Sequence, residues 1–296
     1  MESKYDADYH KTTLKTEPSF VHCSQIYIDN IAMKKITFTL TLLFAFMSST
    51  FAQNRDLFEK QLFISGDDTL LCRILSPMNF DASKKYPLII FLHGSGERGS
   101  DNDAQLTWGG DLFLDSVNRA KFPAIVVFPQ CPNTSKWSEY NKSSKTDSTG
   151  YEWGPDQPML KPLKLVSDFI DTLLGSSVVD KKRVYIGGLS MGGFGTLELL
   201  WRKPGVFAAA VPICGAGNPE KVKSYQPHLP IWLFHGEKDP VIPVANSRLI
   251  YNTLKKTTAK AKYTEYPNIG HDSWINAFNE PDLLPWLFSQ KLVGKK

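Results

Sequence analysis

Short apolar runs recur along the chain, separated by stretches whose apolar residues return every three to four positions. Residues 88–92, 124–128, 183–187, 208–213 and 231–234 are runs of this kind, bounded by Gly or Pro. They are too continuous for a strand with one wet face, so they predict strands inside a sheet covered on both sides. Helical spacing is clearest over 163–174, 193–201 and 244–254, between those strands. The alternation predicts an α/β domain: a central, mostly parallel sheet with crossover helices on both faces. Two further runs, 61–65 and 70–75, flank Gly66-Asp67-Asp68 and predict an antiparallel hairpin at the start of the domain. Residues 261–266 supply a last strand. The one long irregular stretch, 131–158, is rich in Ser, Thr, Asn, Lys and Gly yet holds Trp137, Tyr140, Tyr151 and Trp153. A loop of that length is usually functional or disordered.

The first 52 residues change this picture. Lys34 and Lys35 precede an apolar or hydroxyl run over 36–47, and Thr50 and Ala52 place small residues at −3 and −1 of a cleavage site before Gln53. That is the layout of a secretory signal peptide over 33–52, from Met33 to Ala52. The run falls short of the roughly 20 apolar residues a membrane span needs, so a stable anchor is not expected. Residues 1–32 are polar and precede a plausible start at Met33, which reads as an over-extended start or a disordered extension. Cleavage leaves residues 53–296, a size suited to one catalytic domain in a periplasmic or secreted protein.

That segment carries 29 Lys and Arg against 25 Asp and Glu, with no basic cluster. Nucleic acid is therefore not an expected partner. Cys72, Cys131 and Cys214 are odd in number and widely spaced, which fits neither a disulfide framework nor a common zinc site. Each reads as a buried small apolar residue.

The chemistry centres on Gly188-Leu189-Ser190-Met191-Gly192, placed between a strand and a helix. A serine in that setting sits on a strained turn with its hydroxyl exposed at the strand's C-terminal edge. A serine hydroxyl is a weak nucleophile and needs a base, itself oriented by a carboxylate. In the expected order of serine, acid and histidine, Asp239 follows the 231–234 strand and His271 follows the 261–266 strand. Glu237 lies too close to its strand end, and Asp272 directly neighbours His271 and reads as an anchor for its loop. His93 and His235 end buried strands before glycine and read as structural. For the oxyanion, the N–H of Met191 is one expected donor. The N–H of Ser95, within His93-Gly94-Ser95-Gly96-Glu97-Arg98-Gly99, is the other. Glu97 and Arg98 are expected to pair and stiffen that loop.

Four blocks appear together and in order: residues 92–99, Pro129-Gln130-Cys131-Pro132 with Trp137, residues 188–192, and Gly270-His271-Asp272-Ser273-Trp274. In these the chain resembles a bacterial carboxylesterase group of the α/β-hydrolase superfamily. That group, the phospholipase/carboxylesterase or polyhydroxybutyrate-depolymerase-like esterases, is related to feruloyl esterases and to the catalytic domain of prolyl oligopeptidases. The resemblance covers roughly residues 57–292. It implies the α/β-hydrolase fold with an eight-stranded core, a covalent acyl-enzyme, no metal and no cofactor. The expected substrate is a small-molecule or polysaccharide-linked ester, such as an acetyl or feruloyl sugar, with Trp137, Trp153 and Trp274 as candidate binding residues. Two other classes compete with this esterase reading. A serine peptidase is disfavoured because no β-propeller precedes the domain. A binding protein on a hydrolase scaffold is disfavoured because every triad candidate is present.

Overall fold

The computed structural model describes residues 55–143, 149–154 and 156–292. The expected signal peptide over 33–52 and the segment before it lie outside the described residues. Strands form where the apolar runs fall. β1 (Phe58–Ser65) and β2 (Asp68–Leu75) pair antiparallel across the two-residue turn Gly66-Asp67, as the hairpin signal predicts. β3 (Tyr86–Leu92), β4 (Ile125–Gln130), β7 (Val179–Leu189), β8 (Ala209–Ile213), β9 (Pro230–Gly236) and β10 (Lys260–Tyr266) complete an eight-stranded sheet. Its order is β1-β2-β4-β3-β7-β8-β9-β10, and β2 alone runs against the rest.

Period-two alternation along these strands divides the apolar residues between two cores. Leu88, Ile90 and Leu92 of β3, with Val184 and Ile186 of β7 and Ile231 and Leu233 of β9, face one side. There they meet α3 (Lys161–Gly175), α4 (Met191–Arg202) and α6 (Ala245–Leu254), whose Leu163, Val166, Ile170, Leu200 and Ile250 are buried. Ile89 and Phe91, Tyr185 and Leu189, and Trp232 and Phe234 face the other side. That side is covered by α1 (Gly110–Leu114), α7 (Trp274–Phe278) and α8 (Leu283–Ser289). Helices therefore lie on both faces, as expected for parallel strands joined by crossovers.

The structure departs from the sequence reading in three places. β7 continues past Gly187 to Leu189, because Gly188 and Leu189 still pair with Pro212 and Ile213 of β8. The helices α1, α2 (Ser116–Lys121), α5 (Pro219–Val222), α7 and α8 have four to seven residues each, too short to show a helical period. The 131–158 stretch contains a hairpin, β5 (Asn141–Lys142) with β6 (Tyr151–Glu152).

Candidate active site

Ser190 stands between the end of β7 and the start of α4 with φ +52° and ψ −120°. A non-glycine residue there carries strain of order 1–3 kcal/mol, sustained only because its surroundings fix the turn. The Ser190 N–H donates to the Ile213 carbonyl at 2.9 Å, and its own carbonyl accepts the Gly193 N–H at 2.8 Å. Glycine at 192 is obligatory for a steric reason: a Cβ there would lie 2.0 Å from the Leu92 carbonyl oxygen. The motif therefore lets the turn press against the end of β3. Met191 is the first residue of α4, so its N–H has no carbonyl one turn back to bond.

Two other loops meet Ser190. His271 Nε2 lies 2.9 Å from Ser190 Oγ, and His271 Nδ1 lies 2.7 Å from Asp239 Oδ2. The loops carrying the acid and the histidine touch closely, since a Cβ at Gly236 would sit 2.1 Å from the Gly270 carbonyl oxygen. Glu237 reinforces that contact by accepting the Asn268 N–H at 2.9 Å. Asp272 is exposed. Of the three carboxylates near these loops, Asp239 is the one hydrogen-bonded to the imidazole.

The Asp239 side chain is fully buried, and burial works against its charge. Hydrogen bonds from His235 and His271 and from the Ile242 N–H outweigh that penalty and hold the carboxyl well below the usual carboxylate range. Oδ1 accepts from the Val241 and Ile242 N–H groups at 2.8 and 2.9 Å, and Oδ2 also lies 3.2 Å from His235 Nε2. His235 Nε2 in turn reaches the Ile242 carbonyl at 2.9 Å, which requires a proton on that nitrogen. His235 is buried and bonded to Ser247 and the Ile242 carbonyl, as its structural reading expects, but the sequence carries no signal of its place beside Asp239.

Cys214 is buried, as expected, but also reaches the site. It is buried at the end of β8 with φ +38°, and its sulfur, an Asp239 oxygen and a His271 nitrogen lie within 4.8 Å of one another. Three such atoms could hold a metal ion. Burial pushes the Cys214 thiol far up, however, and both His271 nitrogens are already bonded. The donors therefore suit a hydrogen-bonded relay better than a ligand set.

The loop after β3 flanks Ser190: a Cβ at Gly94 would lie 3.5 Å from Ser190 Cβ. Ser95 opens a 3-10 turn, Ser95–Glu97, behind Gly94. Burial raises the half-buried Glu97 carboxyl, while hydrogen bonds from the Gly94 N–H and the Trp108 indole oppose the rise. The expected Glu97–Arg98 pair does not form. Arg98 donates instead to the carbonyls of Ser95, Asn133 and Ser135, where its fork spans two backbone segments. His93 is buried, accepting the Cys131 N–H on Nε2 at 2.9 Å and contacting the Gly94 carbonyl through Nδ1 at 2.6 Å.

The three candidate tryptophans have different fates. Trp274 packs edge-on against His271 at 5.3 Å and meets Trp108 at 5.6 Å, beside the relay. Trp153 lies against Phe194, one turn into α4 from Ser190. Trp137 is a correction: it is 0 % exposed, donates its indole N–H to the His93 carbonyl at 3.0 Å and packs under α4, so it cannot meet a substrate. Its β-carbon would lie 2.7 Å from a Cβ placed at Gly195, which shows how closely the helix seats on it.

A sequence model of the family described as phospholipase/carboxylesterase matches residues 78–280. The crystal structure of a thermostable esterase superposes with a TM-score of 0.72 at 37 % identity, over 81 % of this chain and 64 % of that one. Probable dipeptidyl-peptidase 5 of Aspergillus terreus is 22 % identical over 259 residues, which is 75 % of this chain and 32 % of the relative. The chain thus spans about a third of the length of the curated relatives it matches. Uncomplexed acylaminoacyl peptidase of Pyrococcus horikoshii is 17 % identical with a TM-score of 0.54, over 81 % of this chain and 42 % of that one. At that identity the likeness is one of fold alone.

Proposed function

The chain belongs to the phospholipase/carboxylesterase family and has the α/β-hydrolase fold, and from that premise we propose that it hydrolyses carboxylic esters through an acyl-enzyme on Ser190. The observation that carries this reading is the unbroken relay from Ser190 Oγ through the His271 ring to the buried Asp239 carboxylate. In the first step Ser190 Oγ bonds to the ester carbonyl carbon while its proton passes to His271 Nε2. The carbonyl oxygen becomes an oxyanion, which accepts hydrogen bonds from the N–H groups of Met191 and Ser95. Asp239 stays ionised, fixes the proton on His271 Nδ1 and stabilises the imidazolium. Collapse of the tetrahedral intermediate breaks the ester C–O bond, and His271 returns the proton to the departing alcohol. Water then repeats the sequence on the acyl-enzyme and releases the acid. No metal or cofactor takes part in these steps.

Trp274 and Trp108 stand beside the relay and suit a small acyl or aryl group. Acetyl or feruloyl esters carried on sugars are the substrates this proposal favours, and residues 33–52 direct the enzyme to the periplasm or beyond. A second reading, cleavage of peptide bonds, draws on the dipeptidyl-peptidase 5 relatives and on the shared fold of the acylaminoacyl peptidase. One substrate panel separates the two. It contains short-chain p-nitrophenyl esters, acetyl and feruloyl sugar esters, a long-chain ester, and dipeptide and proline amides. The ester reading expects the highest specificity constant among the short or sugar esters. A higher constant for a peptide amide would replace it with the peptidase reading.

A further inference from the structure

A cavity of about 220 Å³ lies between the 131–158 loop and the outer face of α4, bounded elsewhere by the segment at Asn218. It contains neither Ser190 nor His271 in its walls. At 1.5 Å per helical residue, its wall begins with Phe194 at about 6 Å along the axis from Ser190 and continues past Glu198 at about 12 Å. An occupant would therefore sit to one side of the reacting carbonyl, within reach of a ligand that also occupies the relay.

The chemistry of the walls is specific. Trp153 and Phe194 form the near wall with ring centroids 6.1 Å apart, and Trp201 forms the far wall. The charged groups of the walls are already paired, Glu139 with Lys136 just outside the cavity. Glu198 accepts the Ser138 hydroxyl at 2.5 Å and lies 3.2 Å from Arg202 Nε. The Arg202 guanidinium stacks on Trp201 at 3.8 Å, and Lys221 pairs with Asp156. A carboxylate and a guanidinium held side by side offer an acceptor and a donor at one place while carrying no net charge. An ionic ligand would have to displace a partner from one of these pairs. A long acyl chain would shield Glu198 and Arg202 from water while offering them no hydrogen bond of its own. A neutral ring bearing several hydroxyls meets neither penalty: its hydroxyls match the ion pair and its C–H face matches the aromatic wall.

We propose that this cavity is a subsite for a neutral sugar ring, placed to grip a saccharide at a distance from the ester that the relay cleaves. The proposal rests on the ester-hydrolase reading of Ser190 and names the alcohol side of its substrate as an oligosaccharide. Specificity then comes from two places: the aromatic residues near His271 select the acyl group, and the cavity on α4 selects the carrier.

The test uses the full chain with Ser190→Ala, which binds without turnover, titrated by calorimetry with xylohexaose, cellohexaose, mannohexaose and the anionic hexamer of galacturonic acid. At least one neutral hexamer should bind, the anionic one more weakly, and adding Trp153→Ala should lower that affinity roughly tenfold through the lost stacking face. Glu198→Gln is the second variant, and thermal unfolding of each checks that it is folded. In the Ser190-bearing enzyme, Trp153→Ala should raise KM for an acetylated oligosaccharide and leave kcat unchanged. Failure of every neutral hexamer to bind, or binding that neither substitution weakens in a folded chain, overturns the subsite. Failure of the unsubstituted enzyme to cleave p-nitrophenyl acetate would instead overturn the esterase reading, and the calorimetry reports the subsite separately.

Discussion

The buried His93 ring makes the loop that carries Ser95 sensitive to acid. Its Nε2 accepts the Cys131 N–H, which places the proton on Nδ1, where it faces the Gly94 carbonyl. Burial lowers its pKa from the ordinary 6.5 to about 4; the Gly94 bond opposes that shift, Arg98 adds to it and Asp101 works against it. Above pH 6.5 the ring is neutral in both folded and unfolded chains, and its full contribution to stability is present. Below 6.5 the unfolded chain takes up a proton that the folded chain refuses, so stability falls until the pH passes about 4 and then levels. At 1.36 kcal/mol per pKa unit, this one ring removes about 3 kcal/mol over that interval. Urea unfolding at pH 7.5, 6, 5 and 4 measures the fall. In His93→Gln the amide oxygen can still accept the Cys131 N–H but does not titrate, so its fall should be smaller by about that amount. An identical fall in both proteins, or an NMR titration that places the His93 ring near 6.5, would show that burial of this ring does not couple stability to pH.

Other predictions follow from distances in the site. Asp239→Asn should lower kcat by about 10⁴-fold, because the amide cannot hold His271 in the required tautomer. Asp272→Asn and Glu237→Gln should change kcat far less, and an equal loss from Asp272→Asn would move the acid to that residue. Gly192→Ala should cost at least the 1–3 kcal/mol typical of overpacking, since its Cβ would meet the Leu92 carbonyl at 2.0 Å, and thermal unfolding reads the loss. Cys72, Cys131 and Cys214 are buried, and burial pushes the first two thiols up to about 12 and Cys214 higher still. Peptide mapping after iodoacetamide at pH 8 should find these three unlabelled in the folded chain and labelled in urea.

Much of this architecture was legible because its signals are local. The strands announce themselves as short apolar runs, and residues 188–192 state the elbow in five consecutive positions. Asp239 and His271 could be found because each sits on a loop after a strand, in a fixed chain order. What stayed hidden depends on contacts between segments remote in sequence. His235 is four residues from Asp239, yet only the fold of the intervening turn brings its Nε2 to the carboxylate. Cys214 enters the site because β8 ends beneath Ser190, a fact of strand order rather than of spacing. Trp137 and Trp153 both stand in one mostly polar stretch of sequence and have opposite surroundings in the fold. The first lies under α4, where Gly195 leaves room for it, and the second lines a cavity. Arg98 could pair with Glu97 on sequence grounds but finds three carbonyls that the chain brings within its reach.

A covalent bond to Ser190 during turnover can be trapped with an organophosphonate that carries a fluorescent tag. One adduct per chain is expected, mapped by peptide mass to the segment holding Ser190 and absent in Ser190→Ala. An adduct at another residue, or equal labelling of the Ser190→Ala protein, would contradict it.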